Sequence, residues 1–336
     1  MNKFVKVLLI VAACLAGLGV LLTSFGVFWS VRVADRLLPD EAVPQNVAVD
    51  VASLKHLKLE TGVSDLRFET APIGEARVET AGFSEGEVKI EQKDGTLSVC
   101  SRNMLGGDII NVGLFRIDWL GRIHTGTLQQ RTVTVYLPQT ALESFELTAG
   151  VGDVSGSLPF TAQRMDVSCG TGCVTLSHLH AQQLSVSRGV GDIKLTDFSC
   201  ETFDLTGGTG NAVLTDGGAS VRSSLSVGVG DVTVSGGQWN AMSVSGGTGN
   251  FAFDGSMRDA CSINGGVGDV ELHFADGVQN YRMELHKGLG DIDAEGVALV
   301  MTHGDKTYTI NPDSTAENRL TIEQGVGNVR LRFTEE

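Results

Sequence analysis

Acidic and amide side chains follow a repeated glycine pair, and they are the residues with which this sequence could bind a cation. Each directly follows the second glycine of a Gly-x-Gly tripeptide: Asp153, Cys173, Asp192, Asn211, Asp231, Asn250 and Asp269. In calcium-binding rolls the aspartate lies two residues beyond the last glycine, and the repeat is about nine residues long. The spacing here is about twice that. We therefore predict that the Asp and Asn side chains hydrogen-bond to neighbouring backbone N–H groups and form no metal site.

A second group of possible ligands has the form Cys-x3-Cys-x4-His-x-His, with Cys169, Cys173, His178 and His180. This spacing is not that of a known zinc finger. Other repeats place Asp, Asn, Arg or Gly at these points, so no zinc site is predicted. Whether Cys169 and Cys173 form a disulfide or remain free thiols is left open by the sequence.

No arrangement of residues typical of catalysis is present. The histidines are dispersed along the chain, and no Gly-x-Ser-x-Gly nucleophile motif occurs. The histidines are His56, His124, His178, His180, His273, His286 and His303. The sequence thus predicts a protein that is not an enzyme, with no catalytic residues and no cofactor. One alternative is a carbohydrate-active β-helix enzyme whose carboxylates and basic residues meet on one face.

The Gly-x-Gly tripeptide recurs with a nearly constant period. The second glycines are Gly152, Gly172, Gly191, Gly210, Gly230, Gly249, Gly268, Gly290 and Gly327. The first steps are of 19 or 20 residues, and the last two are longer. A fixed period of this length is typical of stacked repeats, in which each unit is too small to bury its own apolar face. Glycine suits the corner of such a unit because it accepts positive φ and close backbone approach.

Apolar residues occupy the same columns in each repeat. They stand seven and five residues before the second glycine and two and four residues after it, as in Leu184, Val186, Ile193 and Leu195. Period-two alternation of this kind indicates half-buried strands on both sides of the corner. We predict an all-β fold, a parallel β-solenoid with rungs of about 19–20 residues over 141–335. A coil of 38 residues is the alternative.

The region 48–140 is predicted to be irregular β structure. His56 to Phe68 repeats the column pattern with Ser64 in place of the glycine, which indicates a degenerate first rung. A hairpin is expected from Val88 to Val99, a strand from Thr132 to Pro138, and a long loop from Asn103 to Gln130. Val297 to Asn318 is either a decayed rung or a hairpin insertion.

The N-terminus contains an uncharged apolar segment from Val7 to Trp29. Its length matches a bilayer core of about 30 Å and exceeds the apolar region of a cleavable signal. We predict a cytoplasmic stub and a transmembrane signal-anchor helix over 1–30, with residues 7–29 in the lipid bilayer, followed by a linker over 31–47. A cleaved signal peptide, or a lipoprotein acylated at Cys14, are the alternatives.

Charge constrains location and partners. Lys3 and Lys6 precede the apolar segment without acidic residues, so the bulk of a single-pass protein of the cell membrane should be extracytoplasmic. The net charge of −15 repels nucleic acid, and nucleic-acid binding is not predicted. An envelope protein or a glycan is the expected kind of partner.

The sequence resembles a known bacterial family. An apolar N-terminal segment, the strand Val-Thr-Val-Tyr-Leu-Pro138 and serial rungs ending in Gly-x-Gly-Asp-Val are similar to domain of unknown function 4097, a family labelled putative adhesin. The resemblance covers about residues 48–334 and implies a cell-envelope protein with a solenoid ectodomain. We predict a non-catalytic binding or scaffold surface. The alternative is an accessory protein in envelope-stress sensing that signals through a membrane partner.

Overall fold

The computed structural model describes residues 42–101, 109–112, 115–118, 123–124, 130–303 and 306–334. These residues fall into two compact units. The smaller contributes a three-stranded antiparallel sheet, β7-β8-β9, where the sequence predicted a long loop, so the loop prediction is wrong there. All other strands belong to the larger unit.

The strands are β1 Gln45–Ala48, β2 His56–Val63, β3 Asp65–Thr70, β4 Arg77–Ala81, β5 Val88–Lys93, β6 Thr96–Ser101, β7 Ile109–Val112, β8 Phe115–Asp118, β9 Ile123–His124, β10 Thr132–Leu137, β11 Thr140–Val151, β12 Val154–Ser157, β13 Phe160–Thr171, β14 Val174–Val190, β15 Ile193–Thr209, β16 Ala212–Val229, β17 Val232–Asn240, β18 Met242–Thr248, β19 Phe251–Arg258, β20 Ala260–Val267, β21 Val270–Phe274, β22 Tyr281–Leu289, β23 Ile292–Ala294, β24 Val300–His303, β25 Thr307–Ile310, β26 Asn318–Val326 and β27 Val329–Phe333. Single 3-10 turns lie at Val51–Ser53 and Val278–Asn280.

Within the described ranges, no helix is long and apolar enough to cross a bilayer. The predicted transmembrane helix over 7–29 lies outside the described residues. The whole predicted N-terminal segment, 1–30, and most of the predicted linker, 31–47, also lie outside the described residues.

Successive rungs pair in parallel, one period apart. Val174 in β14 is opposite Ile193 in β15, and Leu184 in β14 is opposite Phe203 in β15. One coil is therefore one period of 19 or 20 residues, and the alternative of a 38-residue coil is wrong. The all-β, β-solenoid character of the larger unit is confirmed.

The predicted inward columns form the core. The column five residues before the glycine is buried from Leu147 and Val167 to Ile322, and the column two residues after it includes the fully buried Ile193. Aromatic side chains fill the wider parts of the interior. Phe198, Phe203 and Trp239 contact one another with ring centroids 5.3 to 5.8 Å apart, which adds attraction to the area that they bury.

The N-terminal part of the solenoid agrees with its prediction. Leu57, Leu59, Leu66 and Phe68 are buried, and Ser64 occupies the glycine position of the first rung. Strand β2 pairs in parallel with β11 of the next rung, and β3 pairs with β12. The hairpin is β5 with β6, and the strand before Pro138 is β10, which pairs with β3.

The C-terminal rung does not lie at the end of the stack. Strand β26 pairs in parallel with both β20 and β22, and β27 pairs with both β21 and β23. The last rung in the chain is thus inserted between two earlier ones. Strands β24 and β25 are antiparallel, and β25 covers β22, which supports the hairpin alternative for Val297 to Asn318.

Candidate functional site

The glycine corners are packed backbone against backbone. Gly172 has a φ of +136°, which L side chains rarely adopt, and a Cβ on it would meet the carbonyl oxygen of Gly152 in the preceding rung. The corner needs glycine for both conformation and space. The need for space follows from stacking rungs at about 4.8 Å, whereas the positive φ belongs to the corner itself.

The Asp and Asn residues that follow the corners bond to the adjacent rung, whereas Cys173 makes no such side-chain bond to a described residue. Asp192 Oδ1 accepts a hydrogen bond from the backbone N–H of Asn211 at 2.8 Å, and Asn211 Oδ1 accepts one from the N–H of Asp231 at 3.0 Å. Asp231 Oδ1 accepts from the N–H of Asn250 at 2.8 Å. The predicted bonding to backbone N–H groups is confirmed. The bond joins adjacent rungs, whereas an Asx turn bonds within one corner.

We call these residues the corner ladder. In spatial order it consists of Asp65, Asp153, Cys173, Asp192, Asn211, Asp231, Asn250, Asp269, Asn328 and Asp291. From Asp153 onward, carboxylates alternate with neutral groups, so like charges lie about 9.6 Å apart instead of about 4.8 Å. Insertion of the C-terminal rung preserves this order, because Asn328 separates Asp269 from Asp291.

We expect Asp231→Ala to lower the melting temperature by an amount matching about 1 kcal/mol, the usual contribution of one such hydrogen bond. Millimolar calcium should change the melting temperature of the unmodified protein little, because Oδ1 is already occupied by a backbone N–H. The control is Glu146→Ala, which removes an exposed carboxylate outside the ladder. A calcium-dependent stabilisation that Asp231→Ala abolishes would contradict this expectation.

The second group of possible ligands does not converge. Cys169 is buried and Cys173 is exposed, and both are free thiols. The His178 ring lies against Ser157 and Asp197, whereas His180 Nδ1 lies 2.8 Å from Ser199 Oγ. Within the described ranges, no three His, Cys, Asp or Glu residues are placed to share a metal ion.

His178 instead belongs to a second corner that sequence reasoning missed. Six residues after the second glycine, His178, Asp197, Asp216 and Gly236 all have positive φ, from 50° to 82°. Asp and His are among the residue types enriched in this left-handed conformation. The recurrence of Asp or Gly at this position was the available signal.

A third inward column was also missed, three residues before the second glycine. It holds Ala149, Cys169, Arg188 and Val227, all buried. The Arg188 guanidinium donates to the Thr209 carbonyl at 3.2 Å, while its Nε and Nη2 have no partner among the described residues. Burial lowers the pKa of Arg188, with Asp192 and two thiols opposing the effect. The group remains charged, and its location is a cost in stability.

The buried thiols are chemically inert. Burial raises the pKa of Cys169, and Arg188 opposes that shift only in part. Burial also raises the pKa of Cys200 to about 12 and that of Cys261 to about 11. Because the thiolate is the nucleophile and metal ligand, these cysteines act as small core residues.

An open groove of about 580 Å³ crosses five rungs on one side of the solenoid. We call it the side groove. Its lining residues are Ala141, Leu142, Thr161, Ala162, Gln163, His180, Ala181, Gln182, Ser199, Cys200, Glu201 and Ser220. A second, enclosed cavity between Leu225 and Gly265 has about 10 Å³, enough for one water molecule at most.

A column of mostly small residues lies along the side groove. Ala162, Ala181, Cys200 and Ala219 follow one another in register, and Trp239 comes next. The side chains beside them are mainly neutral and polar. Gln163, Gln182 and Glu201 are exposed and have no side-chain hydrogen bond among the described residues. Their amides and carboxylate are therefore free to bind a ligand.

Comparisons with known proteins identify one matching family. The sequence profile of the Toastrack DUF4097 family matches residues 54–332. A search of curated proteins finds no match. Similar solved structures include a putative adhesin from Bacteroides fragilis, with 13% identity, a TM-score of 0.44 and coverage of 87% of this chain and 97% of that one.

Two further solved structures are similar. A putative lipid binding protein from Parabacteroides distasonis has 12% identity, a TM-score of 0.43 and coverage of 87% of this chain and 98% of its own. A putative cell adhesion protein from Clostridium sporogenes has 16% identity, a TM-score of 0.22 and coverage of 88% and 100%.

Proposed function

The chain belongs to the Toastrack DUF4097 family, and from that premise we propose that it is a membrane-anchored, extracytoplasmic β-solenoid that binds a partner without catalysis. The observation that carries the proposal is the side groove, which is large, open and lined by groups suited to hydrogen bonding. Concave surfaces with a few placed polar groups are where proteins bind ligands.

The groove favours a neutral glycan as ligand. Its wall offers the amides of Gln163 and Gln182 and the hydroxyls of Thr161, Ser199 and Ser220, which match sugar hydroxyls. The net charge of −15 disfavours polyanions. Polar groups that repeat at about 4.8 Å along five rungs suit an extended chain whose units are of similar length.

Binding of the full chain to an array of neutral and acidic oligosaccharides tests this function. We expect neutral oligosaccharides to bind, and the double variant Gln163→Ala, Gln182→Ala to lower the affinity about 10-fold or more, since two amide contacts are lost. The matched control is Gln183→Ala, an exposed glutamine outside the groove. If the double variant and the control bind with equal affinity, the side groove is not the binding site.

The same assay distinguishes the enzymatic alternative. An oligosaccharide that is bound should be recovered intact after prolonged incubation with the protein. Shortened products that depend on Glu201 would show that the groove is a carbohydrate-active site.

The membrane anchor needs its own test. If residues 7–29 span the bilayer, the protein should sediment with membranes, resist carbonate extraction and retain its N-terminus in an intact-mass measurement. A soluble chain that begins beyond Ser30 would overturn the anchor, and an acylated Cys14 would replace it with a lipid anchor.

A further inference from the structure

Exposed apolar side chains form one straight column on the solenoid. They stand between the two glycines of successive corners and are 42% to 72% exposed: Val63, Val151, Val190, Val229, Val267, Val326 and Leu289. Thr171, Thr209 and Thr248, also exposed, complete the column. We call these ten residues the corner ridge. An extended row of exposed apolar side chains, here interleaved with threonines, is a candidate interaction site.

From Val151 to Val267 the ridge and the corner ladder alternate together, whereas Val326 stands beside the neutral Asn328. Rungs with an exposed valine, such as those of Val190 and Val229, carry the carboxylates Asp192 and Asp231. Rungs with threonine carry a neutral group, such as Asn211 beside Thr209. In spatial order the ridge is Val63, Val151, Thr171, Val190, Thr209, Val229, Thr248, Val267, Val326 and Leu289. At about 4.8 Å per rung, these ten positions span about 43 Å.

We propose that the corner ridge docks against the corner ridge of a second copy of this chain, with the two solenoids antiparallel. The two-fold axis lies between the fifth and sixth rungs, those of Thr209 and Val229. Each rung then faces the partner's rung counted from the opposite end. This is an isologous interface, the commonest kind in homo-oligomers.

The antiparallel arrangement makes the surface complementary to itself. Because the number of rungs is even and the ladder alternates from Asp153 onward, Asp231 faces Asn211 of the partner subunit, and Asp192 faces Asn250 of the partner subunit. On the ridge, Val190 faces Thr248 of the partner subunit. Carboxylates thus meet amides in three of the five kinds of facing pair, and Asp269 faces Cys173 of the partner subunit. Only the outermost pair, Asp65 with Asp291 of the partner subunit, brings like charges together, and it lies at the end of the interface, where solvent screens the repulsion.

Other occupants fit this surface less well. A parallel pair of copies would have its two-fold axis along the solenoid, which would place the valine column of one copy against the carboxylate column of the other. An extended strand or a helix has a different axial repeat from about 4.8 Å, so its contacts would fall out of register. The narrow ridge predicts a small interface and weak, concentration-dependent association.

Sedimentation of the full chain in a mild non-ionic detergent tests the interface. Dimers should appear with increasing concentration, and the double variant Val190→Glu, Val229→Glu should weaken association about 10-fold or more by burying charge. The matched control is Val221→Glu, whose valine is 57% exposed and lies off the ridge. A monomer at every concentration, or equal weakening by the control, would overturn the proposal.

Cysteine cross-linking tests the antiparallel register. In a Cys173→Ser background, Thr171→Cys molecules are mixed with Val267→Cys molecules that carry a tag of different size, and the mixture is oxidised with copper phenanthroline. We expect disulfide-linked heterodimers, because the third and eighth rungs face each other. Mixing Thr171→Cys with Val190→Cys serves as the control. Preferred linkage in the control mixture, or between two Thr171→Cys copies, would contradict the antiparallel arrangement.

Discussion

Val186→Asp is expected to destabilise the solenoid by several kcal/mol, on the order of 4. The Val186 side chain is fully buried and lies between Val167 and Leu205 of the adjacent rungs. An aspartate there must either bury an unpaired carboxylate or take up a proton, and it also loses the apolar contacts of valine. The fall should be measured as a lower melting temperature by circular dichroism.

The control places the same side chain one position along on the outer face. Ser187→Asp should change the melting temperature little, because Ser187 is half-buried and its register partners, Ser168 and Thr206, are uncharged. Ser185 is unsuitable, since it lies between Asp166 and Asp204 and an added carboxylate would be repelled. Equal melting temperatures for Val186→Asp and Ser187→Asp would show that the inward and outward columns are misassigned.

The inward apolar columns could be predicted because the same local alternation recurs at the same positions in every rung. Leu184 and Val186 alternate with serines, and Gly191 marks the corner, so one rung already shows which residues face inward. Stacking at a fixed period then fixes the register of all rungs together. The column of Ala149, Cys169 and Arg188 escaped prediction because its members differ in polarity, and several rungs have glycine there.

The position of the last rung in the stack depends on contacts between distant parts of the chain and was not predicted. Spacing along the chain places the rung of Asp291 before that of Asn328, and stacking in chain order would put Asp291 next to Asp269. The observed insertion keeps a neutral amide between the two carboxylates. Because solvent screens these carboxylates, the repulsion between Asp269 and Asp291 in adjacent rungs would cost only about 1 kcal/mol or less. The register of the apolar columns therefore also contributes to the position of the last rung.

The candidate site was likewise predictable only in part. Bonding by the Asp and Asn residues was predictable, because it follows from residue type beside a glycine corner. The side groove was not, because its lining comes from residues of five rungs that only the stacking register brings together. The signal for the corner ridge in the sequence is the recurrence of valine or threonine between the two glycines.

Gly210→Ala is expected to destabilise the protein by about 3 kcal/mol or more. Gly210 has a φ of +124°, and a Cβ on it would meet the carbonyl oxygen of Gly191, with Arg188 Nη1 at 2.9 Å. The backbone cannot move away easily, because the N–H of Gly210 donates to Val229 O at 2.8 Å and the N–H of Gly191 donates to Thr209 O at 2.9 Å.

Gly296→Ala is the control, because it introduces alanine at a positive φ without close backbone approach. Gly296 also has positive φ, +72°, but nothing lies within 4 Å of the position of its Cβ. This control should therefore cost only the conformational strain of a left-handed alanine, about 1 kcal/mol. The difference between the two urea midpoints then combines the close approach of adjacent corners with the greater strain of alanine at a φ of +124° than at +72°. If the two variants unfold at the same urea concentration, backbone packing between rungs does not explain why glycine recurs at the corner.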